Sequence, residues 1–242
     1  MSAQTSFPIS TSNHQSTSIF PLPDSLYTPY YCEENVYLLI KTLEASANIR
    51  ATWACFISNL ERRAILFNQK ASRHGEDQGS YVIWDYHVIA IAAYRQGGEE
   101  KLVVIDRDSK LGEMVDLEEY VERTFYPSLF REEILDPALE SRIRVIPGIN
   151  FLENFASDRS HMLRAIEKPL GAQVKNVRET FEYIHPPPPY PPIRGSNAFR
   201  NGELDNLWSK FLDMRMGDDE QGKGYGQVLA NSNELLKHDF SV

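Results

Sequence analysis

The sequence is short of cysteine, short of positive charge, and without a long apolar run. It holds two cysteines, Cys32 and Cys55, too few for a disulfide framework. With no export signal, two cysteines point to free thiols in a reducing compartment. Zinc-finger spacing is missing, and the six histidines never fall into a His-Glu-x-x-His pattern, so no metal is expected. Lysine and arginine total 25 against 34 acidic residues, a formal net charge of -9. A chain so poor in clustered cations is unsuited to a phosphate backbone, and no nucleic-acid partner is expected. No stretch of about 18 apolar residues occurs, so no membrane span is expected. The opening residues, rich in Ser and Thr, do not follow the basic-then-apolar order of a secretory signal.

What is present suits one globular core: 242 residues, 42% hydrophobic and 24% charged. Residues 1–24 read as a flexible tail, and 25–242 as a single domain. Val36, Leu39, Ile40 and Leu43 have helical spacing, so an amphipathic helix is expected over 32–45, with Glu33 and Glu34 in its first turn. Residues 52–58 read as a buried strand, 61–71 as irregular or briefly helical, and 73–80 as a polar loop. The run 81–94 is the strongest strand signal, Gln96-Gly97-Gly98 a tight turn, and 101–106 the returning strand. Residues 117–125 and 130–135 look helical. A short strand is expected over 142–146, irregular chain over 151–156, helix over 204–214, and a loop over 217–226. The proline-rich crossover 186–192 must be extended. The expected class is α+β, an antiparallel sheet with helices packed to one side.

Cys32 falls at the expected helix start, where the macrodipole favours a thiolate while the neighbouring glutamates oppose it; the bland alternative is a buried, inert cysteine. His87 lies in the strand run, with Ile83, Asp85 and Ile89 on its face and Trp84, Tyr86 and Val88 on the other. A two-residue turn at Gln96-Gly97 places residue 106, an aspartate, opposite His87; a shifted turn places Asp108 there. A carboxylate on one imidazole nitrogen leaves the other free as a base. His161 reads as a structural helix-start residue, with a second base as the alternative. His14 and His74 read as solvated. The proline run is a stiff crossover, or else a docking segment for a partner.

Several boxes stand together in order: Tyr31-Cys32-Glu33-Glu34-Asn35, Phe56-Ile57-Ser58-Asn59, Trp84-Asp85-Tyr86-His87-Val88, Asn154 through Met162, and the proline run with Tyr190. Over residues 27 to 240 the chain resembles the protein N-terminal glutamine amidohydrolase family, marked by its Trp-Asp-Tyr-His-Val motif. The resemblance implies a papain- or transglutaminase-like cysteine hydrolase core, with Cys32 as nucleophile, His87 as base and Asp106 as orienting acid. It implies hydrolytic deamidation of N-terminal glutamine in proteins and peptides, without cofactor, by a monomer of cytoplasm and nucleus that feeds N-terminal arginylation. Glu33, Trp84, Asp85, Tyr86 and Asp158 are candidate substrate-binding residues, Glu33, Asp85 and Asp158 as readers of the amino terminus. Against the family pattern the hairpin is lengthened near Glu99 and Glu100, and an insertion is expected near 163–185. The rival readings are a cysteine protease or transglutaminase with the same triad, or a non-catalytic interaction module.

Overall fold

The computed structural model describes residue 24 and residues 27–75, 79–166, 181–216 and 224–241. Nearly all of the expected tail, most of the expected insertion, and residues 217–223 of the expected loop lie outside these. Chain order runs α1 (Cys32–Glu44), β1 (Ile49–Ser58), β2 (Ala64–Leu66), β3 (Val82–Trp84), β4 (His87–Gln96), β5 (Glu99–Ile105), β6 (Met114–Asp116) and α2 (Leu117–Tyr120). It continues through α3 (Pro127–Arg131), β7 (Arg142–Pro147), α4 (Gly148–Asn154), β8 (Leu163–Ala165), β9 (Phe181–Tyr183), α5 (Ser196–Arg200), β10 (Gln227–Leu229) and α6 (Ser232–Leu235). A π turn, Val121–Phe125, extends α2, and another, Leu207–Phe211, precedes β10. Among the described residues no helix is long and apolar enough to cross a membrane.

The main sheet has six antiparallel strands in the order β10-β7-β1-β4-β5-β6. Its central strands are buried on both faces, which corrects the expectation that helices cover one side. On one face Ala54 and Phe56 of β1 and Val88, Ala90 and Ala92 of β4 meet Val36, Leu39, Ile40 and Leu43 of α1. The small side chains of β4 let the helix sit close to the sheet, and its large aliphatic stripe fills the space between them. On the other face Cys55, Ile57, Ile89 and Ile91 pack against Tyr120, Val121 and Phe125 from α2 and its π turn, with Leu235 from α6.

The strand expected over 81–94 is two strands in different sheets. β3 pairs with β2, and β4 begins after a bend at Asp85 and Tyr86. Asp85 closes that bend by accepting the Tyr86 N–H at 2.8 Å, and its carbonyl takes the Ser58 hydroxyl. The bend resets the alternation, so Trp84 lies against His87 with ring centroids 5.2 Å apart. The chain expected to be irregular over 151–156 is largely α4. Its first residue must be glycine, because a Cβ on Gly148 would sit 1.9 Å from the Thr52 hydroxyl. Phe151 of α4 and Phe155 just after it interlock with each other and with Phe56 and Phe211, at centroid distances of 5.0 to 6.5 Å, and such pairs contribute about 0.5–1.5 kcal/mol each beyond area burial. That cluster fixes the segment leading to Arg159 and His161. Only one π turn forms where a helix was expected over 204–214.

The proline run forms neither helix nor strand and bends at Pro189 and Tyr190, and it is tied down by a buried ion pair. Arg159 Nε and Nη2 donate to Glu34 Oε1 and Oε2 at 2.7 and 2.8 Å, and Nη1 donates to the Pro188 carbonyl at 3.4 Å. The guanidinium lies over the Tyr190 ring, 5.2 Å from its centroid. α1, the His161 segment and the crossover therefore share one knot. Replacing Arg159 with Met strands the Glu34 carboxylate without its partner, and a buried pair broken from one side costs about 3–5 kcal/mol. Urea denaturation of Arg159→Met is expected to show that loss, and adding Glu34→Leu is expected to recover much of it.

Candidate active site

Cys32 opens α1, as expected from the apolar spacing. The preceding Tyr31 makes no side-chain cap, so the first-turn N–H groups stay available beside the thiol. The approach to the helix is held by Asn35, whose amide exchanges two 2.8 Å hydrogen bonds with the Thr28 backbone. Tyr30, at φ 71°, turns the chain and stacks on His185 with centroids 3.5 Å apart. Cys32 is partly exposed, whereas Cys55 is fully buried on the opposite face of the sheet; both are free thiols.

His87 opens β4 and Asp106 follows β5. The ladder register differs from the expected one. The turn residues are Gly97 and Gly98, at φ 65° and 89°, and Gln96 pairs with Glu99. The ladder ends at Ala90 opposite Ile105. Asp106 thus stands one diagonal step from His87, on the same face, a spacing that an imidazole and a carboxylate can bridge. They do so: His87 Nε2 lies 3.0 Å from Asp106 Oδ1. Asp106 Oδ1 also accepts the Asp108 N–H at 2.9 Å, and Oδ2 accepts the Tyr120 hydroxyl at 2.7 Å. The carboxylate hydrogen-bonded to His87 is therefore that of Asp106, although the turn itself is shifted. Asp108 instead accepts the Tyr27 hydroxyl at 2.5 Å.

With Nε2 bound to the carboxylate, His87 Nδ1 is the nitrogen left over, buried and without a hydrogen-bond partner among the described residues. His87 and Cys32 line the same cavity, of about 410 Å³. The Val88 N–H, next along the strand from His87, points at the Cys32 sulfur. Burial pushes the imidazolium of His87 down, but Asp106 and its hydrogen bond, with Asp108, outweigh it and the net direction is up. Burial likewise pushes Asp106 up, yet His87, Tyr120 and the Asp108 N–H hold it below the usual carboxylate range. The Cys32 thiol goes the other way from its helix-start expectation. Burial raises it well above its ordinary value, Glu33 and Asp108 add to that, and the Val88 N–H only partly offsets them. Its S–H leans on Glu33 Oε2 at 3.6 Å.

Of the expected substrate-binding residues, Trp84, Asp85 and Tyr86 line the cavity. Glu33 and Asp158 do not. Glu33 is completely buried behind Tyr86, whose hydroxyl donates to its Oε2 at 3.1 Å. Asp158 is exposed and caps the Ser160 N–H at 2.8 Å. His161 is the residue that the sequence reading undervalued. It is the middle residue of a 3-10 turn (Ser160–Met162), lines the cavity, and places Nε2 3.1 Å from the Tyr86 hydroxyl. Its place in the Asn154–Met162 box was the available signal. Tyr120 and Tyr27 carried none, because their roles depend on where distant segments land. Among the described residues His87, Asp106 and Asp108 bring ligand-type atoms within 4.8 Å of one another. Since His87 and Asp106 are bonded to each other and Asp108 to Tyr27, the trio reads as a hydrogen-bonded network rather than a set of metal ligands.

Comparison with known proteins places the same segment in a family context. The family described as N-terminal glutamine amidase matches residues 27–238. A protein N-terminal glutamine amidohydrolase of Oryza sativa subsp. indica is 34% identical over 222 residues, covering 88% of this chain and 86% of that protein. Its namesake from Arabidopsis thaliana is 37% identical over 198 residues, covering 79% and 76%. One from Danio rerio is 33% identical over 215 residues, covering 88% of each.

Proposed function

The chain belongs to the N-terminal glutamine amidase family, hydrolases of amide C–N bonds, and from that premise we propose that it converts N-terminal glutamine of proteins and peptides to glutamate through a thioester on Cys32. The observation that carries this reading is the buried His87–Asp106 pair, at 3.0 Å, whose His87 lines the cavity that also holds Cys32. A cysteine at a helix start, a histidine opening a strand and an aspartate just past the neighbouring strand also suit a papain- or transglutaminase-like core.

In this reading Cys32 meets substrate as the thiol, in keeping with the upward push of burial and with its S–H resting on Glu33 Oε2. His87 Nδ1 takes the thiol proton as the sulfur attacks the side-chain carbonyl carbon of the glutamine. The oxyanion is received by the Cys32 N–H at the helix start. His87 then returns the proton to the amide nitrogen, the C–N bond breaks, and ammonia leaves a thioester. Water enters, gives a proton to His87 and attacks the thioester; the C–S bond breaks, the sulfur is reprotonated, and glutamate is released. No electrons change hands, so the steps need no redox or group-carrying cofactor.

The test is ammonia release from a peptide beginning with glutamine. Turnover on that peptide is expected, with little or none when the first residue is Asn or N-acetylated Gln. Asn withdraws the carboxamide by one methylene, and misplacement of about 1 Å can cost ~10²-fold. Comparable rates on internal glutamine would overturn the N-terminal reading in favour of a transglutaminase-like one.

A further inference from the structure

His161, Tyr86 and Glu33 form a second polar chain, apart from the His87–Asp106 pair. Its proton order follows from the donors present. Glu33 Oε2 accepts the Tyr86 hydroxyl at 3.1 Å, so the Tyr86 oxygen accepts from His161 Nε2, also at 3.1 Å. That nitrogen lies 3.5 Å from Glu33 Oε1 as well. The proton therefore resides on Nε2, and Nδ1 keeps its lone pair. The His161 side chain is only 10% exposed, and Nδ1 is buried without a hydrogen-bond partner among the described residues, as is Glu33 Oε1. His161 nevertheless lines the cavity that holds Cys32. An unpartnered acceptor buried in that position is costly unless a ligand supplies the donor.

We propose that His161 is the specificity-determining residue for the substrate's free α-amino group, its Nδ1 accepting a hydrogen bond from the ammonium while Tyr86 and Glu33 hold the ring. This rests on the glutamine-amidase reading above and deepens it.

The charge around His161 fits a cation. Glu33 faces it from α1, Asp85 from the bend before β4, and Asp205 from the segment before the second π turn, while Asp158 lies beside Asp205 on His161's own stretch of chain. Burial alone pushes an imidazolium down, yet the hydrogen bond and charge of Glu33, with Asp205 and Asp85, carry His161 above its ordinary value. Surroundings that stabilise a proton on this ring also stabilise an ammonium beside it. The two compete, because a protonated Nδ1 repels the ammonium, so substrate binding releases a proton from His161. Acetylation removes both the charge and the donors, which gives selectivity for a free terminus a physical basis.

The experiment compares a Gln-starting peptide with the same peptide lacking its α-amino group, on wild type and on three variants. His161→Gln places an amide near the Nε2 position, beside Tyr86 and Glu33, without an acceptor at Nδ1; His161→Asn places one near Nδ1; His161→Ala has neither. Wild type is expected to favour the amino peptide by about 10- to 100-fold, the worth of a charge-assisted hydrogen bond. In His161→Ala and His161→Gln that preference should collapse through a rise in KM for the amino peptide that the desamino peptide does not share, and His161→Asn should recover part of it. On wild type, KM for the amino peptide should rise as pH falls through the His161 titration, while that for the desamino peptide stays level. Equal losses on both peptides, or a preference that survives in His161→Gln with the variant folded, would overturn the proposal. If wild type releases no ammonia from the amino peptide, the glutamine-amidase reading itself fails, which is a distinct result.

Discussion

Cys32→Ser is expected to lose ammonia release on the order of 10⁴- to 10⁶-fold while remaining folded, the scale reached when a nucleophile that acts as a unit with its base is removed. A serine hydroxyl is a far weaker acid than a thiol, and this site already disfavours the anion. Burial and Glu33 raise even the Cys32 thiol well above its ordinary value. The substitution is also structurally mild. Cys32 is partly exposed at the first position of α1, where serine is tolerated, and the stripe that holds the helix is Val36, Leu39, Ile40 and Leu43. Cys55→Ser is the matched control. That side chain is fully buried on the other face of the sheet, so its hydroxyl costs about 1–3 kcal/mol of stability while turnover in the folded fraction stays close to wild type. Thermal melts with single-turnover ammonia release distinguish the two outcomes. Substantial turnover by folded Cys32→Ser would remove Cys32 from the role of nucleophile. Because burial and Glu33 raise the Cys32 thiol, its alkylation by iodoacetamide is expected to be slow at neutral pH and to accelerate towards alkaline pH.

What could be read from the sequence followed the range of the forces involved. α1 was legible because its apolar stripe repeats every turn, and the lack of helix over 186–192 because proline blocks one. The boundary inside 81–94 was hidden. Nothing in Trp84-Asp85-Tyr86 is a breaker, and the bend depends on Asp85 accepting its neighbour's N–H and on the Ser58 hydroxyl, from another strand, donating to its carbonyl. Local periodicity contains neither partner. The hairpin shows the opposite case. Its turn lies one residue later than expected, at Gly97-Gly98, because two consecutive glycines accept positive φ more readily than Gln96-Gly97. That shift moved the ladder without moving Asp106 off the face of His87, since both registers keep the same parity. α4 and the sheet's second covered face escaped notice for a different reason. A Gly-started helix lacks an N-cap signal, and coverage by α2, its π turn and α6 is assembled from segments more than a hundred residues apart. His161 was visible inside a family box, but its bond to Tyr86 is a tertiary fact.

Asp106→Ala is expected to lower turnover by about 10⁴-fold, the loss typical of removing the acid from a nucleophile–histidine–acid unit. It leaves His87 Nε2 buried without its acceptor and frees the ring to adopt the other tautomer, which presents an N–H where the lone pair is needed. Asp106→Asn is expected to be milder, and the neighbouring donors explain why. The Asp108 N–H points at Oδ1, so an asparagine turns its oxygen to that position and goes on accepting from His87 Nε2. Its NH₂ then faces the Tyr120 hydroxyl, which can turn its own proton to the Thr124 hydroxyl, a group otherwise without a partner. The tautomer survives, and what is lost is the carboxylate charge that steadies the imidazolium, worth about 10- to 100-fold as a charge-assisted hydrogen bond made neutral. The pH profile carries the sign. Asp106 is what holds His87 above its ordinary value against burial, so in Asp106→Asn burial prevails, His87 gives up its proton at lower pH, and the acid limb of the rate moves down. Asp108→Asn should change turnover within about tenfold, because its amide oxygen can still accept from Tyr27 and its backbone N–H still holds Asp106. The informative measurement is the full pH–rate profile of the three variants beside wild type. A larger loss in Asp108→Asn than in Asp106→Asn, with both folded, would mean that Asp108 is the acid that supports His87 during turnover and that the resting hydrogen bond is not the working one.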